Sequence, residues 1–262
     1  MSEIYLKDKV SIVTGSGREN GIGAGIALAL ARAGSLVTVN YVSDSSAPRA
    51  AEVVSKIEGA VGKGKVIAVQ ADVSTEDGAK RIVDETLQNF GVDHIDIIVN
   101  NASAVTMGGT LQSKAEDIMK TFQVAIVGPV LLLQAAYKYM PRQSRIINIG
   151  SVASKMGFVQ MPVYAAAKAA MDQLTFTLSR EIGRDGKNIT VNTISPGPVL
   201  TDSLPPVPEA EAVKEFLLDR TRADDRIGTV EDIADAVLLL ASEKSRWITG
   251  QVISASGGII GG

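Results

Sequence analysis

The chain of 262 residues has no cysteine, one histidine and one tryptophan. Without cysteine there is no disulfide, no thiolate metal site and no thiol nucleophile, and the composition suits a reducing compartment. The one histidine, His94 in GVDHID, argues against a zinc site or a histidine-centred triad. It stands just before a strand and reads as a loop residue. Charge of one sign is also scarce. The net charge is -3 and the basic residues are dispersed, which gives no footprint for nucleic acid. No apolar run reaches the ~18 residues of a membrane span. The first residues, MSEIYLKDK, lack the apolar core of a signal sequence, so a cytoplasmic protein with no membrane and no metal is expected.

What remains is a chain that is 45% hydrophobic, with 25 glycines, which suits one α/β domain over residues 1–262. Apolar runs predict strands at Val10–Thr14, Leu36–Tyr41, Val66–Gln70, Ile95–Val99, Arg145–Ile149, Ile189–Ile194 and Gln251–Ser254. Helical spacing predicts helices after the first glycine loop and at Ala47–Gly59, Thr75–Phe90, Lys114–Met140, Pro162–Ile182 and Asp232–Ala241. Gly128–Pro129 marks a distortion within the longest of them. Such alternation predicts a single doubly wound parallel sheet of about seven strands, Rossmann-like, with helices on both faces. Pro196, Pro198, Pro205, Pro206 and Pro208 break up the stretch after the sixth strand. Residues 196–226 are therefore either a substrate lid or an ordinary surface loop, with Glu209–Asp219 a short helix in it.

Ligands of such sheets lie at the carboxyl ends of the strands. The first strand runs into GSGRENGIG and then a helix, the context of a dinucleotide-binding turn. Gly15 and Gly21 permit the sharp turn, Gly23 permits close helix packing, and the amides of the helix start, from Ile22, can hold a pyrophosphate. The second strand ends at Asn40 and Tyr41, with Ser43 following, and no carboxylate sits at that end. Arg18 in the glycine loop can pair with a 2′-phosphate, which favours NADP(H) over NAD(H), although alone it also reads as a solvated loop charge. Asp44 is the nearest carboxylate, one short register shift away. After the fifth strand come Ser151 and, on a helix, Tyr164 and Lys168. Four residues apart, phenol and ammonium share a helix face. An ammonium favours the phenolate and lowers a phenol's pKa toward the useful range, while the serine hydroxyl can hold a substrate oxygen.

Together these residues resemble a short-chain dehydrogenase/reductase of the single-domain type over essentially the whole chain. The resemblance rests on T-G-x-G-I-G at Thr14–Gly23, A-D-V at Ala71–Val73, N-N-A at Asn100–Ala102 and Ser151 with Tyr164-x-x-x-Lys168. P-G-P-V-x-T-D at Pro196–Asp202, R-I-G and a final T-G-Q-V-I complete it. VTVNY and GSGREN resemble fungal NADPH-dependent members, including trihydroxynaphthalene and related polyketide ketone reductases. The resemblance implies Tyr164 as general acid, Lys168 as the group that tunes it and holds the nicotinamide ribose, and Ser151 as the carbonyl donor. It implies Asp72 and Val73 at the adenine, and Asn100 with Ala102 at the adenosine side. Val199 and Thr201 would lie at the carboxamide, and Pro196 and Gly197 where the backbone passes the nicotinamide. A small carbonyl compound is the implied substrate. Val105, Met107, Met156, Phe158, Met161 and Leu204 are candidates for its apolar pocket, each equally readable as core. A homotetramer or dimer is implied, paired through the helices at Lys114–Met140 and Pro162–Ile182.

Three departures stand out. Five residues separate Gly15 from Gly21 where the family has three, a lengthening shared with enoyl reductases, which carry a wider Tyr–Lys spacing than this chain. N-N-A-G reads N-N-A-S, with Ser103 in place of glycine. The asparagine expected three residues before Gly128, which holds a water linking the lysine to solvent, is Ala125. A carbonyl reductase with a shifted proton relay is one reading of Ala125; a redox-neutral dehydratase, isomerase or cyclase on the same scaffold is another. A silent NADP-binding sensor is the third, and retention of Ser151, Tyr164 and Lys168 speaks against it.

Overall fold

The computed structural model of the chain describes residues 5–202 and 215–260. Seven parallel strands form one sheet: β1 (Val10–Val13), β2 (Leu36–Tyr41), β3 (Val66–Gln70), β4 (Ile97–Asn100), β5 (Arg145–Ile149), β6 (Thr190–Pro196) and β7 (Val252–Ala255). Their order is β3-β2-β1-β4-β5-β6-β7. The direction of winding reverses between β1 and β4, which sets the crevice for a ligand at their carboxyl ends. The helices are α1 (Ile22–Arg32), α2 (Ala47–Val61), α3 (Glu76–Phe90), α4 (Ala115–Phe122), α5 (Gly128–Ala136), α6 (Ala153–Met156), α7 (Pro162–Glu181) and α8 (Val230–Ala241).

Side chains alternate across a strand, so the sheet carries two cores. Val13, Val37, Val39, Val99, Ile147 and Ile194 face α1, α2 and α8. Ile12, Val69, Ile98, Ile146 and Val191 face the side covered by α3, α5 and the end of α7. Both faces of the central strands are buried, which is why these strands read as unbroken apolar runs.

The long helix expected over Lys114–Met140 is divided, in the turn that leads into Gly128–Pro129. A wide turn at Gln123–Val127 separates α4 from α5, with the Gly128 amide bonded five residues back to Gln123. Pro129 explains the position. It has no N–H to give the carbonyl of Ala125, and its ring crowds that carbonyl, so the preceding turn opens. The helical stretch Ala115–Tyr139 is by length and composition apolar enough to cross a membrane. Here it packs on α3 and α7 within the fold. Of the expected lid at 196–226, residues 203–214, and Leu204 with them, lie outside the described residues; residues 215–218 are helical.

Candidate active site

The glycine loop leaves β1 at Thr14. Gly15 adopts φ +61°, and a Cβ there would lie 2.7 Å from the Ala102 Cα, so the turn closes directly on the loop after β4. At Gly23 a Cβ would lie 2.4 Å from Asn101 Nδ2, so this glycine admits the Asn101 side chain as well as closing the helix on the turn. That amide donates to Thr14 O (2.9 Å) and Gly15 O (3.0 Å). Gly21 caps α1, whose first turn carries no acidic side chain. An open helix start beside an exposed Gly15 and Arg18 fits an anionic dinucleotide. At the end of β2, Asp44 does not face this loop as a free carboxylate, because it accepts from Gln70 Nε2 at 2.7 Å. Ser43 caps the turn at Asp44–Ser46, and Tyr41 lies against the loop, 2.8 Å from where a Gly17 Cβ would be.

Several expected site residues have scaffolding bonds. Asn40 is buried; its amide donates to Tyr41 O, Val69 O and Ala71 O and accepts from the Gly15 amide at 3.2 Å. It ties the ends of β1, β2 and β3 together and does not present its side chain to a ligand. The Asn100 amide likewise turns into the sheet, donating to Asn148 Oδ1 at 2.8 Å, while its own Oδ1 is buried without a partner. Asp72 accepts from the Ser74 amide (2.9 Å) and hydroxyl (2.6 Å), shaping the entry to α3. Val73 is buried against Gly128. Ala102 donates its amide to Thr14 Oγ1 at 3.1 Å. Pro196 ends β6, a Gly197 Cβ would press on Ile259 and Ser256 at 3.0 Å, and Val199 bridges to Gly228. Thr201 follows, half-buried.

Tyr164 is half-buried, and the Ser151 and Ser103 hydroxyls are the side chains that favour its phenolate. Ser151 Oγ also accepts from the Ala153 amide at 3.1 Å. Lys168, 2% exposed, places Nζ 5.5 Å from the Tyr164 ring centroid and donates to Ile149 O at 2.7 Å. The expected lowering of the phenol by the ammonium is not what the structure gives. Burial pushes Tyr164 above its ordinary value, and the two serine hydroxyls only temper it. Lys168 is itself lowered to about 8 by burial, against the pull of Asp172. Burial raises Asp172, against Ser154, Lys155 and Lys168, and its buried Oδ1 lacks a partner. A phenol raised in this way keeps its proton and can give it to an oxygen.

Of the expected apolar pocket, Val105 and Met107 are exposed and Met156, Phe158 and Met161 half-buried. Phe158 meets Phe216 edge to face, ring centroids 6.4 Å apart. Phe158 also lines a cavity of about 530 Å³ with Leu111, Val159 and Pro162. A second cavity, of about 470 Å³, lies between α1, α2 and α8. Neither is lined by Ser151, Tyr164 or Lys168. Among the described residues no cluster of His, Asp or Glu is placed to hold a metal ion.

Four residues near the site were missed as contacts. Ser103 stood out only as a departure from pattern. Asp172 was signalled by its spacing of four from Lys168. Phe216 carried no signal. Arg49, at the start of α2, donates to Asp202 at 2.6 Å and lies 3.6 Å from Glu19, while Asn20 donates to Asp202 at 3.1 Å. Glu19 and Asn20 of the lengthened loop thus meet α2 and the segment after β6.

The family model described as enoyl-(acyl carrier protein) reductase matches residues 15–260. The short-chain dehydrogenase/reductase FrzI of Cladobotryum sp is 38% identical over 260 residues, covering 97% of each chain. Versicolorin reductase stcU of Emericella nidulans is 34% identical over 263 residues, covering 97% of this chain and 96% of its own. Among solved structures, the angucycline C-6 ketoreductase LanV with bound NADP superposes with TM-score 0.87 at 34% identity, covering 97% of this chain and 96% of that one. The fold agrees with these likenesses, and the chain belongs to the short-chain dehydrogenase/reductase family.

Proposed function

We propose that this chain is an NADPH-dependent reductase that converts a ketone, cyclic or polyketide-like, to a secondary alcohol. One observation carries the reading: the buried Lys168 places its Nζ 5.5 Å from the Tyr164 ring centroid, and the Ser151 hydroxyl is among the groups that act on that phenol. The dihydronicotinamide, when bound, supplies the hydride. Ser151 holds the carbonyl oxygen, and Tyr164 gives that oxygen its proton as negative charge develops. Lys168, fixed on Ile149 O, holds a positive charge next to the phenolate left behind.

Gly15, Gly21, Ile22 and Gly23 shape the pyrophosphate site, with Arg18 at the 2′-phosphate and Tyr41 and Ser43 beside it. Asp72 and Val73 bound the adenine, Asn100 and Ala102 the adenosine side, and Pro196, Gly197, Val199 and Thr201 the nicotinamide. LanV, an angucycline C-6 ketoreductase, was solved with NADP, and stcU is named a versicolorin reductase, which supports the cofactor and a reductase activity together. The Tyr–Lys spacing of four supports ketone over enoyl reduction. We read residues 1–262 as one unit, cytoplasmic and homotetrameric. Exposed Met119, Val127 and Phe176 on α4, the turn before α5, and α7 support pairing through those helices.

The test is NADPH oxidation against a panel of cyclic and aromatic ketones. Tyr164→Phe should lower turnover about 10²–10⁴-fold. Turnover kept in that variant refutes the role. Product formed without net cofactor oxidation would favour the redox-neutral reading that Ala125 motivates.

A further inference from the structure

We propose that Arg49 is a positioning residue that ties the lengthened glycine turn to the segment after β6 and so slows the release of NADP(H). The proposal rests on cofactor binding and not on which carbonyl compound is reduced.

The first observation is the shape of the extra loop. The Gly21 amide donates to Arg18 O at 2.9 Å, which closes a tight turn with Glu19 and Asn20 at its two corners. The insertion is therefore a tip on the glycine turn, directly before the Gly21 cap of α1. The second observation is what that tip meets. Asn20 Nδ2 donates to Asp202 Oδ1 at 3.1 Å, and Arg49 Nη2 donates to Asp202 Oδ2 at 2.6 Å. The same guanidinium has Nε 3.6 Å from Glu19 Oε2. One cation thus joins two carboxylates from two chain segments, through charge-assisted contacts.

The third observation is the base of the tie. Arg49 stands in the first turn of α2, and the next residue, Ala50, is fully buried. A Cβ at Gly17 would lie 3.1 Å from Ala50 Cβ, so α2 is seated on the glycine loop at this point. The fourth is what lies between the joined parts. Glu19, Asn20, Leu200, Thr201 and Asp202 all border the cavity of about 470 Å³. Here the two walls meet across a gap that polar contacts span, where apolar packing would otherwise hold them.

The joined walls are those read at two parts of the cofactor. Gly21 belongs to the pyrophosphate turn, and Asp202 follows Thr201, read at the carboxamide. A dinucleotide held by both walls leaves only as one moves from the other, and the Arg49 contacts oppose that movement. Asp202 separates a tie from a plain charge effect. A carboxylate near an anionic cofactor repels it, so on charge alone its removal slows release. As one half of a tie, its removal speeds release.

The test is the NADPH dissociation rate, followed by stopped-flow nucleotide fluorescence as excess NADP⁺ displaces it. Wild-type affinity for NADPH, measured first, checks the cofactor reading separately. Asp202→Ala and Arg49→Ala should each raise the rate about fivefold, the upper end for a part-exposed ion pair. The double variant should release no faster than either single one, since both break the same contact. Arg49→Lys should recover part of the loss, and NADH should be affected by the same factor as NADPH. Without nucleotide, amide hydrogen exchange at residues 18–21 should rise in both alanine variants. Unchanged or slower release from Asp202→Ala overturns the proposal. Rates that multiply in the double variant overturn it as well. A loss in Arg49→Ala confined to NADPH would make Arg49 a 2′-phosphate contact and overturn the tie. None of these readings needs a ketone, so failure to find a substrate leaves the result standing.

Discussion

Replacing Lys168 by methionine should change how stability depends on pH, and the structure sets the size. A lysine lowered from 10.5 to about 8 by burial is one whose proton the folded state holds less well than the unfolded chain does. Complete burial means there is little solvent screening to discount, and the difference corresponds to about 3 kcal/mol. The penalty is fully present below about pH 8 and fades as pH rises toward 10.5, because the unfolded chain binds more protons throughout that window. From pH 7 to 9.5, wild-type stability should therefore rise by about 2 kcal/mol relative to Lys168→Met. Tyr164, raised by burial, ionises above this window. Methionine also leaves Ile149 O without its donor, a cost of about 1–3 kcal/mol that does not depend on pH. The slope therefore tests the burial argument, and the offset does not. Urea unfolding of both proteins without cofactor, at several pH values in that range, supplies it. Parallel curves would refute the claim that Lys168 is held in the fold against its charge.

Two further outcomes are expected. Arg18→Ala should weaken NADPH more than NADH, measured as dissociation constants, and equal weakening would move the 2′-phosphate contact elsewhere. Thr229 and Asp232 cap α8 reciprocally, Thr229 accepting from the Asp232 amide at 3.2 Å and Asp232 from the Thr229 amide at 2.7 Å. Thr229→Ala should cost about 1 kcal/mol in urea unfolding, and Thr229→Ser much less.

The sheet was legible because buried strands announce themselves as apolar runs between glycine and proline. β2, β3 and β5 lie where the sequence predicts them, residue for residue. The divided helix was half legible. Pro129 marked it, but the strain of a missing N–H falls four residues earlier, on Ala125. Ser151, Tyr164 and Lys168 were legible from spacing. Their ionisation was not, since it depends on burial that only packing creates. Spacing suggested an ammonium acting on a phenol; packing adds a burial that raises it. Asn40 was read as a ligand contact because strand ends attract ligands, yet the carbonyls of three neighbouring residues needed a donor there first. Arg49 could not be read at all, since its partner Asp202 lies 153 residues away in the chain.

That last distance has a consequence for how the protein is made. The first three strands can pair once residue 70 has emerged, yet the contacts from Asn20 and Arg49 must wait for Asp202, 182 and 153 residues further on. At about 5–20 residues per second, some 8–30 s of synthesis separate Arg49 from its partner. Through that interval the glycine turn is held by α1 and, once residue 102 has emerged, by Asn101 and Ala102, but its Asn20 end has no partner in Asp202. Closing so long a span also draws on chain entropy late in folding. A ribosome-bound chain stopped before residue 202 should thus show the Thr14–Gly15 end of the turn protected and its Asn20 end unprotected, and that end should settle only as the last third of the protein arrives.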